Sequence, residues 1–96
     1  MDINNLGQIP GMPKAITINI EFDLELQKIT GTEGHDVVMS EGSMFMFLLQ
    51  SIFMEYPKIE KKYPPGMLGF IINGTPPKTY TPLFDGDVVS LSVGVY

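Results

Sequence analysis

Twelve residues near the start of the chain alternate without a break. Ile16, Ile18, Ile20, Phe22, Leu24 and Leu26 are apolar, and Thr17, Asn19, Glu21, Asp23, Glu25 and Gln27 between them are polar. A period of two places all six apolar side chains on one face of a pleated strand, and the β-branched isoleucines suit that surface. The pattern predicts a long first strand running through Leu26, in a sheet with one covered face.

The segment after it, Thr30-Gly31-Thr32-Glu33-Gly34-His35-Asp36, is dense in turn formers, and Val37-Val38-Met39 can return as a short antiparallel partner. Residues 44–56 then carry too long an apolar run for a strand, ending at Pro57. At about 100° per residue Phe45, Leu48, Leu49, Ile52, Phe53 and Tyr56 fall on one stripe, so the run predicts a helix with that stripe toward the core and Ser43 as its cap. Residues 58–66, with Lys58, Lys61 and Lys62 and a Tyr63-Pro64-Pro65-Gly66 ending, predict a solvated connection rather than more helix.

Residues 67–72 read as a buried strand closed by Asn73-Gly74. Thr75-Pro76-Pro77 suits only a short edge strand, and Val89, Leu91, Val93 and Val95 alternate in a last strand. One helix among these strands is buried only by lying across a sheet, which predicts an α+β fold: a mixed four- to five-stranded sheet with one main helix. The crossover allows the final strand to lie beside the first in parallel. Residues 1–14 lack a periodic pattern and read as a flexible tail before a single domain at 15–96.

Composition narrows the chemistry. With no cysteine there is no disulfide framework, zinc-thiolate site or cysteine nucleophile. A formal net charge of -5 and the absence of arginine argue against nucleic acid, because that affinity depends on neutralising phosphates. No stretch approaches the roughly 20 apolar residues of a membrane span, and no secretory start is visible, so a cytoplasmic location is expected. His35 stands without a second histidine and reads as a solvent-facing turn residue. Asp85 and Asp87 sit in a turn without a visible cleft, and Gly69 and Gly74 fit no phosphate-loop spacing. No catalytic, metal or cofactor site is expected, and the chain is not read as an enzyme.

Met46, Phe47 and Met54 lie off the core stripe and, with Gln50, form a second helical surface. Methionine and phenylalanine are enriched at adaptable interfaces, so these three are candidate partner-binding residues. The bland alternative is that they pack under residues 1–14, through Ile9 or Met12, or beneath residues 58–66.

Three local features, Glu41-Gly42-Ser43 before the helix, Ile72-Asn73-Gly74 after the third strand, and Leu83-Phe84-Asp85-Gly86-Asp87-Val88-Val89, resemble the MoaD/ThiS-type sulfur-carrier family. The resemblance implies a ubiquitin-like β-grasp with its first and last strands in the sheet centre. It also implies protein partners: an E1-like activating enzyme that adenylates a terminal Gly-Gly carboxylate, and a sulfur-accepting enzyme that uses the resulting thiocarboxylate for molybdopterin or thiazole synthesis. By register the diglycine would begin just after Tyr96, which makes Gly94, Val95 and Tyr96 the terminal candidates for partner binding. Ending in Val95-Tyr96, the chain as written is expected to be adenylated poorly. The expected role is a non-catalytic protein-interaction module or accessory subunit of MoaD/ThiS-like fold. The alternative is a sulfur carrier whose Gly-Gly follows Tyr96.

Overall fold

The alternation does build the first strand, β1 (Ala15–Phe22), and Ile16, Ile18, Ile20 and Phe22 are all buried along one face. The computed structural model describes residues 13–94. Residues 1–12, with the proposed packing of Ile9 or Met12, and the terminal Val95 and Tyr96 lie outside the described residues.

The first strand is shorter than its pattern. It stops at Phe22, and Leu24–Thr30 forms a helix, α1, ended by Gly31. Asp23 causes the break: its Oδ1 accepts the Leu26 N–H at 2.8 Å, an N-cap contact, and Leu24-Glu25-Leu26-Gln27-Lys28 are good helix formers. In a continued strand Leu24 and Leu26 would share a face. In the helix they part, Leu24 at 78% exposure and Leu26 at 0%. Chain direction then reverses, and β2 (Gly34–Ser40) pairs antiparallel with β1, as expected of the second strand.

The main helix, α2 (Phe45–Glu55), buries Phe45, Leu48 and Ile52, with Leu49, Phe53 and Tyr56 partly buried against the same core. Ser43 is not its cap. The Ser43 hydroxyl donates to the Ser40 carbonyl at 2.6 Å, and the N-cap position is Met44, which makes no side-chain cap bond. The first helical N–H groups instead find carbonyls from another loop, Phe45 bonding Thr81 at 2.8 Å and Met46 bonding Thr79 at 3.0 Å. Backbone acceptors brought in by tertiary structure satisfy these donors as well as a serine would.

The lysine-rich connection is also partly helical. Pro57–Lys62 forms α3, with Pro57 in its first turn, where a missing N–H costs nothing, and Ile59 fully buried beneath it. Its lysines face out while one isoleucine anchors the turn.

β3 (Leu68–Ile72) follows a 3-10 turn over Pro65–Met67. Ile72 and Thr75 meet in a single bridge around Asn73-Gly74, whose φ angles of 49° and 88° make the tight two-residue reversal. No strand follows over residues 75–77, because Pro76 and Pro77 have no N–H to give a ladder. β4 (Val88–Val93) completes a four-stranded sheet in the order β2-β1-β4-β3. The central β1–β4 pair is parallel and the two flanking pairs are antiparallel, as the crossover argument predicts. The core joins the inner sheet residues to Leu26, Phe45, Leu48, Ile52, Ile59 and Leu83.

Candidate protein-binding surface

The end of β4 is held by a residue of another element. Asp23, just past β1, donates its N–H to the Leu91 carbonyl at 3.0 Å and accepts the Val93 N–H on Oδ2 at 2.8 Å. Its two carboxylate oxygens thus serve two elements, Oδ1 capping α1 and Oδ2 extending the parallel ladder by a side-chain bond. Gly94 follows with φ 61°, in the left-handed region, and donates its N–H to the Met67 carbonyl. The strand therefore stops at Val93 and the backbone turns there, so the expected continuation toward Val95 does not form as strand through Gly94.

The three sequence segments singled out above are knitted together. Leu83 donates its N–H to the Ser43 carbonyl at 2.9 Å, joining the Glu41-Gly42-Ser43 segment to the last one. Asn73 donates from Nδ2 to Asp87 Oδ1 at 2.8 Å and accepts the Val88 N–H on Oδ1 at 2.9 Å. Asp87 is buried and takes the Phe84 N–H on its other oxygen at 2.8 Å, while Asp85 accepts the Thr17 N–H at 2.8 Å. Gly86 makes the reversal with φ 85°. These carboxylates have partners that hold one loop in place. They are structural acceptors, and an open groove of about 450 Å³ lies between the joined segments, lined by Ile16, Pro82, Leu83 and Phe84.

His35 departs from the sequence reading. It sits in β2 opposite Ile20, on the covered side, between the rings of Phe22 at 6.0 Å and Tyr56 at 5.8 Å. Its Nε2 is buried without a hydrogen-bond partner and lies 3.7 Å from Glu55 Oε2. Burial, and then the neighbouring Glu55 carboxylate, raise the Tyr56 phenol above its ordinary 10.0. Among the described residues no three His, Asp or Glu side chains gather as a metal site, and no helix is long and apolar enough to cross a membrane.

On α2 the outward residues are Met46, Phe47, Gln50, Ser51, Met54 and Glu55, of which Glu55 alone is charged. Phe47 is 45% exposed and Met54 83%, with Met46 less so. The helix starts beside the Thr79–Thr81 backbone and ends where Tyr56 meets Phe22, at the same end of the sheet as the Asp23–Val93 bond. Met54 is therefore near the end from which the chain leaves β4, and Met46 and Phe47 are near the other.

No protein-family model matches the sequence, and no curated protein matches it. Solved structures do match. A Pyrococcus furiosus protein assigned as molybdopterin converting factor, subunit 1, superposes with TM-score 0.75 at 17% identity, over 83% of this chain and 99% of that one. Small archaeal modifier protein 1 of H. volcanii gives 0.72 at 14%, over 83% and 99%. The Haloferax volcanii HVO 2177 protein gives 0.70 at 19%, over 85% and 86%.

The fold is the ubiquitin-like β-grasp.

Within this β-grasp the outward α2 residues and the turn at Asp85-Gly86-Asp87 are legible in the sequence. Asp23 is harder to see there: its signal is an acidic residue directly before helix formers and eight residues before a glycine stop at Gly31. Alternation concealed it, because Asp23 falls on the polar beat of the strand pattern.

Proposed function

We propose that the protein is a non-catalytic β-grasp module that docks on a protein partner through the outward face of α2. The observation that carries this reading is the exposure of Phe47 and Met54 on a helix face whose one charged residue, Glu55, lies at its C-terminal end. Exposed aromatic and methionine side chains grouped on one helix suit a groove on a partner, where they bury area at little rotamer cost for Phe and adapt in shape for Met. The partner by resemblance is an E1-like activating enzyme or a sulfur-accepting enzyme. The names of the structural neighbours, a converting-factor subunit and a modifier protein, agree with a protein that works on or with another.

The test is binding of the activating enzyme from the same organism to the wild-type chain and to Phe47→Ala and Met54→Ala, with melting followed in parallel. Weaker binding at unchanged melting supports the reading, and unchanged binding rejects it.

A second reading is carrier chemistry, in which a terminal carboxylate beyond β4 is adenylated and converted to a thiocarboxylate. It is favoured by the Asp23 bond to Val93 and the turn at Gly94, which fix where the backbone leaves the sheet. Intact mass after incubation with ATP, a sulfur donor and the activating enzyme tests it, through replacement of one terminal oxygen by sulfur in the chain carrying Gly-Gly after Tyr96.

A further inference from the structure

β2 lies at one side of the sheet, and no described strand pairs beyond it. The direction of its main-chain groups follows from β1. Asn19 and Asp23 donate their N–H groups to Asp87 and Leu91 on the β4 side, whereas Phe22 donates to Glu33 on the β2 side. Odd-numbered residues of β1 therefore bond toward β4, and even-numbered ones toward β2. In register Ile16, Ile18 and Ile20 stand opposite Met39, Val37 and His35, so those three residues of β2 bond inward. The N–H groups of Asp36 and Val38, and the Val38 carbonyl, point away from β1.

Such a row is a template for another chain, and proteins usually blunt it with lysine, proline or a bulge. Gly34–Ser40 contains neither lysine nor proline, and its pairing with β1 runs through seven consecutive residues without a bulge. Val38 is 69% exposed. The charge along this side is mostly acidic. Asp36 lies on the strand, Glu33 precedes it, Glu41 follows it, and Glu21 stands opposite Gly34. Among the described residues, Lys14 is the cation at the far end of this stretch, and its carbonyl accepts the Glu41 N–H.

A second copy of the chain would set the same acidic residues against one another, and each copy carries a formal net charge of -5. Like charges across a strand pair oppose it, and opposite charges favour it. We infer that the outer edge of β2 receives an extended, lysine-bearing segment of a partner protein, which adds a strand through the main-chain groups of Asp36 and Val38. Main-chain bonds supply the docking and the acidic residues select the sequence. This surface is separate from the outward face of α2, so either stands or falls without the other.

The probe is a capped peptide of alternating valine and lysine, added to the full ¹⁵N-labelled chain. The Asp36 and Val38 amide signals should shift, and their exchange with solvent should slow by roughly tenfold or more, in line with protection by new hydrogen bonds. Val38→Pro removes an N–H that lies outside the β1 ladder, where an edge strand tolerates proline, and should weaken the peptide by roughly tenfold at unchanged melting. Should that variant lose its fold, Asp36→Lys, at an exposed position where the carboxylate accepts the Asn19 side-chain amide at 3.0 Å, should produce the loss by reversing the charge, with melting followed in parallel. A valine-glutamate peptide should leave the spectrum unchanged. The proposal is overturned by shifts that spare β2, or by equal affinity for both variants and wild type. Protection of the two amides in the free chain also overturns it, whether by the chain's own residues or by concentration-dependent self-association.

Discussion

Asp23 holds the backbone of Val93 across 70 residues of sequence, its Oδ2 accepting the Val93 N–H at 2.8 Å while Oδ1 caps α1. One side chain thereby ties the start of the first helix to the end of the last strand. Asp23→Ala removes both acceptors and should destabilise by about 1–3 kcal/mol, from a lost cap and a lost charge-assisted bond. Asp23→Asn offers a single oxygen and can satisfy only one of the two N–H groups. Hydrogen exchange should therefore show faster exchange at either Leu26 or Val93 in the Asn variant, and at both in the Ala variant. Unchanged exchange at both positions in Asp23→Ala would remove the clamp from the account.

Leu24 and Leu26 separate the helical assignment from a continued strand. Leu26→Ala should cost about 2–5 kcal/mol through lost burial and a residual cavity, whereas Leu24→Ala should stay within about 0.5 kcal/mol. Urea melts read both. Similar losses at the two positions would put them on one face, as in a strand.

The same pair explains what the sequence could and could not convey. The strand from Ile16 to Phe22 and the core face of α2 were legible because their periodicities continue through the elements and end at turn formers, and the parallel central pair because a crossover separates its two strands. The break at Asp23 was not, since a polar residue before Leu24-Glu25-Leu26 satisfies the strand alternation and the helix N-cap equally, and tertiary contact decides between them. Ser43 shows the converse. It has the right residue type for a cap, yet the Thr79 and Thr81 carbonyls reach the helix donors first, through a loop more than 30 residues away in sequence. His35 was misjudged because the turn formers around it conceal that it already lies in β2, facing Phe22 and Tyr56. At the candidate site, Phe47 and Met54 were visible from helical spacing, whereas the open edge of β2 needs the strand order.

Asp87 and Asn73 form the polar joint between the last loop and the end of β3. Asp87→Ala leaves the Asn73 Nδ2 and the Phe84 N–H without their acceptors in a partly buried place and should cost about 1–3 kcal/mol. Asp85→Ala, at an exposed contact to Thr17, should cost less. Thermal melts of the two variants give the comparison, and a larger loss for Asp85→Ala would contradict the assignment of the joint.

The central claim, that α2 presents a protein-binding face, is tested most directly by titrating the E1-like activating enzyme of the same organism with two chains. One is wild type and the other carries Phe47→Ala and Met54→Ala together. Wild type should bind saturably, the double variant should show a Kd raised at least about tenfold, and the two melting midpoints should lie within about 3 °C of each other. Equal Kd values, no binding by wild type, or a loss of affinity that appears only with a fall in the melting midpoint would contradict the claim.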